Sequence, residues 1–558
     1  MKKLLLVALL ALFTSSINAQ VYYQNGMVAS DNMIASEVGS EILQQGGNAI
    51  DASIATAFAL AVVHPQAGNI GGGGFLVYMD SEGESTTFDF REKAPLAATK
   101  TMYLDEDGNY ISRSNNTGFL SVGVPGTVAG LWDAHQKYGS LPWADLLQPA
   151  IELAEDGFPL SFTLAQHAKN FSENSTDNEF IRNFLTNGTG VPLKMGEIWK
   201  QPELAYVLKK IRDEGQDGFY KGEVAEKLAS YMAENGGIIT MEDLAKYNSV
   251  ERAPVTGTYK EYDIISMGPP SSGGATLIQM MNMMELVDFE EMPFNSTKYV
   301  HFMAESMRRG YADRAEYLGD PDFNPEMPVD RLTSKEHAQQ RFSNIDWEQA
   351  SVSDSSKFGQ LYDGQSTTHF SVIDKDGNAV SLTYTLEFSY GSRLGSPELG
   401  FILNNEMGDF NAIPGETNRS GRIGTLPNQI EPEKRMLSSM SPTIIAKDGK
   451  PYFVIGTPGG RTIINTTFQT VLKVIEFDMR VDHAIESMKV HHQWLPDRIL
   501  YEPNTLSPDT KAALEAMGHT LVPRSSLGRM MGIIWDQENG VFIGASDSSS
   551  PDGGVAGF

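Results

Sequence analysis

The chain has 558 residues, no cysteine, and 71 acidic against 43 basic side chains, a formal charge of −28 at pH 7. Without cysteine it has no disulfide, no lipid-modified N-terminal thiol and no thiol nucleophile. The acidic excess disfavours nucleic acid and anionic lipid as partners, and the length makes several domains the default expectation.

Lys2 and Lys3 precede an apolar run, Leu4–Phe13, too short to span a bilayer, followed by serines and Ala19. This pattern predicts a signal peptide over residues 1–19, cut after Ala19 with Ile17 two positions before it. Export to the periplasm, or secretion, follows; an uncleaved membrane anchor is the alternative. The mature form is not expected to sit in a membrane. Helices are predicted over Asp31–Gln45 and Asn48–Val63, parted by Gly46 and Gly47. The second is apolar nearly all round, hence buried. Gly71–Gly74 then feeds a strand from Phe75 to Asp80. A glycine-rich loop after a helix invites a nucleotide-binding reading, but no Gly-Lys-Ser/Thr follows and dinucleotide spacing is absent. Close backbone packing is the better reading. Residues 140–350 are helix-rich and disclose no chemistry.

The run Ser366-Thr367-Thr368-His369-Phe370-Ser371-Val372 is where chemistry first shows. A threonine at a chain terminus is a complete nucleophile, because its own α-amine, with a pKa of about 7.7–8.0, is the base beside its hydroxyl. Inside a peptide bond Thr367 has no such base, so the chemistry requires cleavage between Ser366 and Thr367. The plain alternative is the β-branched start of a strand. Phe370, Val372, Val380, Leu382 and Tyr384 alternate with more polar neighbours about Asp374–Asn378, a hairpin pattern. A loop centred on Asp376 sets Thr367 opposite Thr385, close enough for one hydroxyl to orient the other. A slip of one residue would turn Thr385 to the other face. A Thr–Thr pair that only stabilises the sheet is the competing account.

Loop residues Asn411–Gly421 intervene before a second hairpin, Thr443–Ala446 and Tyr452–Ile455, folded about Asp448-Gly449. Its two-residue turn predicts Ser438 opposite Gly459 and Ser439 opposite Pro458. The corner Thr457-Pro458-Gly459-Gly460 leads into a helical pattern ending near Phe477. Open backbone N–H groups at such a strand-to-helix corner suit an oxyanion, although a Gly-Gly corner is also an ordinary tight turn. His491 and His492 are adjacent, so a strand would point them to opposite faces, and no third ligand is spaced for zinc. No metal and no cofactor is expected.

With Leu437–Thr443 and Pro458-Gly459-Gly460, the Thr367–Val372 run resembles the γ-glutamyltranspeptidases. Upstream, so do Gly46–Ala52, His64–Phe75, Asp89–Pro95, Gly123–Gly130 and Pro269–Gly274, in the right order over nearly everything after residue 27. The resemblance implies an N-terminal-nucleophile hydrolase, an α+β four-layer α/β/β/α sandwich cut once by itself into a large piece (20–366) and a small catalytic piece (367–558) that share one core. It implies Thr367 as nucleophile, Thr385 as its support, and the N–H groups of Gly459 and Gly460 as the oxyanion site. Arg91, Ser438 and Ser439 would bind the α-carboxylate of a γ-glutamyl unit. Asp409 would hold its α-ammonium, with Glu406 and Glu387 adjoining. An arginine fork for a carboxylate and an acceptor-only group for an ammonium are what that zwitterion needs; the plain alternative for Arg91 is a surface ion pair with Glu92 or Asp89. Substrates implied are glutathione and related γ-glutamyl compounds, with water, amino acids or dipeptides as acceptors. Three departures stand out. Ser420 falls where an aromatic lid residue is common, Glu387 where some members have asparagine, and the tail Gly544–Ser550 lacks an arginine after Asp547. A cephalosporin or glutaryl acylase of the same fold, and an unprocessed, non-catalytic periplasmic binding protein, remain as alternatives.

Overall fold

The computed structural model describes residues 20–174, 178–353, 366–417 and 424–558, and of Ser366 the backbone only. The expected signal peptide and Ser420 lie outside the described residues.

Two seven-stranded sheets pack face to face. One runs, in spatial order, Gly554–Gly557, Gly26–Ser30, Ser366–Asp374, Ala379–Glu387, Gly73–Met79, Ser85–Phe90 and Val250–Arg252. The other runs Val21–Tyr23, Val541–Ser546, Met531–Asp536, Lys450–Gly456, Thr443–Lys447, Tyr262–Ser266 and Val255–Tyr259. Between them lies an apolar layer that includes Met27, Phe75, Val77, Ile444, Val454 and Ile533. On the far face of the first sheet, Phe370, Val372, Val380, Leu382 and Tyr384 pack against helices that include Met33–Gln44 and Ala49–Val63. On the far face of the second, Gly273–Met284, Thr297–Tyr317 and Ile463–Phe477 form the last layer. The architecture is the four-layer α/β/β/α sandwich the resemblance implied.

Local chemistry accounts for these elements. Asn48 caps the helix Ala49–Val63 by accepting from the N–H groups of Ile50 and Asp51, while Asp51 reaches back to the Asn48 N–H. All fifteen residues of that helix are buried. This is why it lacks a polar face. The polar partners in the 366–387 hairpin face the second sheet rather than water. His369 Nδ1 lies 2.8 Å from Thr383 Oγ1 and Nε2 lies 3.1 Å from Ser371 Oγ, and Ser381 Oγ donates to the Ile455 carbonyl at 3.1 Å. Buried polar groups are tolerated there because they are paired.

The first hairpin has the expected register, Thr367 facing Thr385. The second departs from it. Next to the turn, Ala446 pairs with Pro451, but a bulge between Ile445 and Ala446 shifts the rest by one, so Thr443 pairs with Ile455. The strands end there, and Ser438 and Ser439 are placed by other means. The stretch 140–350 is indeed helical for the most part, yet it also supplies Val250–Arg252, Val255–Tyr259 and Tyr262–Ser266 to the sheets. At three to five residues each, those strands were not legible.

Candidate active site

Thr367 stands at a register break. Ser366 pairs with Glu387 and Thr367 with Thr385, so a β-bulge falls on the Ser366–Thr367 link. Bulges of this kind re-aim side chains and recur beside active sites. Thr367 Oγ1 lies 3.4 Å from Thr385 Oγ1, which also accepts from the Glu387 N–H at 2.8 Å. Glu387 itself holds φ at 76°, a left-handed backbone that a non-glycine residue adopts at a cost. The Thr385 carbonyl accepts from Asn69 Nδ2 at 2.9 Å. Gly72 passes so close that a Cβ there would come within 2.0 Å of that carbonyl oxygen. The Gly71–Gly74 run therefore serves backbone packing.

Both threonines open onto a cavity of about 290 Å³. Arg91, Glu387, Glu406, Asp409, Ser438, Ser439 and Gly460 line it as well. Among the described residues around it there is no histidine, lysine or cysteine. His369, two positions from Thr367, is turned into the layer between the sheets, and burial pushes it down to about 3. It is no proton acceptor for Thr367.

Arg91 is not on the surface. Its side chain is 1% exposed and sits among three acids: Nη1 lies 3.3 Å from Glu92 and 2.7 Å from Glu406, and Nη2 lies 2.5 Å from Asp409. Nε donates to the Met436 carbonyl at 3.3 Å. Burial opposes the charge of Arg91, but Glu406, Glu92 and Asp409 outweigh it. The acids respond unequally. Burial pushes Glu92 up to about 7 against the pull of Arg91. Burial, then Asp409 and Glu406, hold Glu387 well above the usual carboxyl range, and burial does the same to Glu406. Buried oxygens of Glu92, Glu387 and Glu406 lack a hydrogen-bond donor. Asp409 is the most open of the set at 36% exposure. Asn116 Nδ2 donates to Glu387 Oε1 at 3.3 Å, and Asn404 ties this segment to the Gly71 and Gly123 carbonyls.

Ser438 is fixed by the Pro269–Gly274 motif, and Ser439 by Arg314, rather than by hairpin pairing. The Ser272 N–H and hydroxyl both donate to the Ser438 carbonyl, and the Ser438 N–H donates to the Pro270 carbonyl. Ser439 Oγ accepts from Arg314 Nη2 at 2.9 Å. Arg314 lines the cavity and was missed from sequence. At the corner, Gly459 (φ 145°) and Gly460 (φ 59°) hold conformations that side chains resist. Among the described residues their N–H groups donate to no acceptor, and the helix Ile463–Phe477 follows after one 3₁₀ turn. The described part of the 411–421 loop places Asn411 and Ala412 at the cavity. In the tail, the buried Asp547 pairs with Lys489 at 3.3 Å.

The fold agrees with that of the N-terminal-nucleophile hydrolases. Cephalosporin acylase from Bacillus halodurans superposes with a TM-score of 0.86 at 27% identity, over 98% of each chain. γ-Glutamyltranspeptidase from Helicobacter pylori is 46% identical, covering 60% of this chain and 95% of that one, with a TM-score of 0.56. The family model for γ-glutamyltranspeptidase matches residues 35–557. Glutathione hydrolase proenzyme of Escherichia coli (strain K12) is 44% identical over 537 residues, 96% of this chain and 92% of the relative. The corresponding proenzyme of Bacillus subtilis (strain 168) is 38% identical over 94% of this chain and 90% of its own length. The chain belongs to the γ-glutamyltranspeptidase family.

Proposed function

We propose that the protein is a self-processing γ-glutamyl hydrolase and transferase whose nucleophile is Thr367. The observation that carries this reading is the Thr367–Thr385 hydroxyl pair, at a register break, opening onto a cavity that holds arginines and acids but, among the described residues, no histidine, lysine or cysteine. The base is then the α-amine that cleavage of the Ser366–Thr367 bond releases. In maturation, Thr367 Oγ attacks the Ser366 carbonyl, the peptide C–N bond breaks to leave an ester, and water hydrolyses that ester. The products are residues 20–366, after loss of the signal peptide, and residues 367–558. In turnover, the same hydroxyl attacks the γ-amide carbonyl of glutathione or a similar donor, giving its proton to the amine. The N–H groups of Gly459 and Gly460 take the oxyanion, and the amine returns the proton to the leaving nitrogen. Water, or the amine of an amino acid or dipeptide, then resolves the γ-glutamyl ester.

The headgroup assignment follows charge. Asp409, with Glu406 and Glu387, takes the α-ammonium; Arg91, Ser438 and Ser439 take the α-carboxylate. An acylase acting on glutaryl amides would have no use for the acids, so they favour the γ-glutamyl donor over that alternative. No described helix is long and apolar enough to cross a membrane, and export rests on residues 1–19.

N-terminal sequencing of the smaller fragment tests the scheme: it should begin at Thr367. Thr367→Ala should stay one polypeptide and lose glutathione hydrolysis by a factor on the order of 10⁴ or more. Splitting of that variant at the same bond, or full activity in an uncut chain, would overturn the nucleophile assignment.

A further inference from the structure

Among the described residues, five arginines are at least nine-tenths buried: Arg91, Arg308, Arg309, Arg314 and Arg435. Four of them meet carboxylates. Arg91 has Glu92, Glu406 and Asp409; Arg308 has Glu305 and Asp497; Arg309 has Glu305; Arg435 has Asp89 and Asp322. Among the described residues Arg314 forms no ion pair. Its Nε donates to Ser272 Oγ at 2.7 Å and its Nη2 to Ser439 Oγ at 2.9 Å, and the guanidinium lies 5.9 Å from the Tyr311 ring centroid. A buried cation held only by neutral groups is costly, and such a site is normally completed by an anion. Arg314 also faces the cavity, in contact with a serine already assigned to the substrate's carboxylate.

Arg91, another cavity arginine, is less able to supply that charge. Arg91 is shared among three acids, so its end of the cavity carries little surplus positive charge. Burial, and then the nearby Arg461, push Arg314 down to about 10, which leaves it charged at neutral pH.

We propose that Arg314 is a positioning residue for the substrate's α-carboxylate: it aims the Ser439 hydroxyl and supplies the unneutralised positive charge of that subsite. This rests on the γ-glutamyl reading and extends it to a residue outside the sequence motifs.

Three p-nitroanilides separate the contributions: the γ-glutamyl compound, the 4-aminobutyryl compound (no α-carboxylate) and the glutaryl compound (no α-ammonium). Arg314→Met should raise KM for the γ-glutamyl anilide by about tenfold or more, with kcat changed much less, as expected for losing a hydrogen bond to a charged group. Its kcat/KM on the 4-aminobutyryl anilide should stay near that of the unaltered enzyme, so the preference for an α-carboxylate collapses. Arg314→Lys should recover part of that preference, and gel electrophoresis should show both variants self-cleaved. An Arg314→Met enzyme that keeps the original preference, or loses both substrates equally, overturns the assignment. If Arg314→Met fails to fold, Arg314→Lys decides: a preference equal to the original rejects the proposal and a partial loss supports it. Should the unaltered enzyme show no preference for γ-glutamyl over 4-aminobutyryl or glutaryl anilide, the γ-glutamyl reading fails first, a result distinct from failure of Arg314 alone.

Discussion

Two of the buried charge clusters in this protein are built to opposite rules. Around Glu305, both carboxylate oxygens are taken. Oε1 accepts from Arg308 Nε and the Ser351 N–H at 3.2 and 3.0 Å, and Oε2 from Arg309 Nη1 at 2.5 Å. Burial would raise this acid, yet Arg308 and the other donors pull it down to about 2. Around Arg91 the acids outnumber the cation, their oxygens are incompletely paired, and Glu92, Glu387 and Glu406 are pushed up rather than down. A satisfied cluster braces the fold. An unsatisfied one, open to a cavity, waits for a ligand to complete it. The same contrast disposes of a metal reading for His301, Glu305 and His519, whose ligand atoms lie within 4.8 Å of one another. Two guanidinium groups already hold Glu305, and His301 is bonded to His519 and to the Asp346 carbonyl, each at 2.8 Å.

The contrast fixes the sign of three outcomes. Glu305→Ala should cost about 3–5 kcal/mol in urea unfolding, because it strands buried arginine charge, while KM of the folded fraction stays unchanged. A destabilisation under about 1 kcal/mol would mean that the cluster is not a brace. Glu406→Gln should do the reverse, raising KM for γ-glutamyl donors about tenfold or more through the lost ammonium contact, with stability unchanged or slightly improved. Loss of stability without a change in KM would count against a binding role. The third outcome is in pH. Glu92 is raised from 4.5 to about 7, so the folded state holds its proton longer than the unfolded chain. Its contribution to stability is therefore greatest below pH 4.5 and declines as pH rises to 7, by up to on the order of 1 kcal/mol per pH unit. Glu305, lowered to about 2, contributes stability that is present above pH 4.5 and lost as pH falls toward 2. Unfolding curves of Glu92→Gln and Glu305→Gln against the unaltered protein from pH 3 to 8 should show these opposite slopes.

What could be read ahead of the coordinates depended on how local the determinant was. The 367–385 hairpin carries its register in its own turn, so the facing of Thr367 and Thr385 was legible. The second hairpin hides a bulge at Ile445 and Ala446, signalled only by Pro451, a proline within a strand, which pairs with Ala446 there. Ser438 and Ser439 were recognised as residues, but what holds Ser438, Pro270 and Ser272, lies more than 160 positions away. Arg314 was invisible for a related reason. It stands in a helix with Glu305, Arg308, Arg309 and Asp313, where it reads as one more charge on a solvated face. Only the ion-pair assignments show which of these lacks an acid.

The order of strands has a consequence for the severed molecule. Gly26–Ser30 lies between Gly554–Gly557 and Ser366–Asp374, while Tyr262–Ser266 and Val21–Tyr23 flank the other sheet's strands on opposite sides. Segments from before and after residue 366 are thus woven through both sheets, and hydrogen-bond ladders cross the boundary in each. The cut proposed there would leave two polypeptides that dilution cannot part without melting. Heating should release them in a single step, and reassembly from separated pieces should then become a concentration-dependent event.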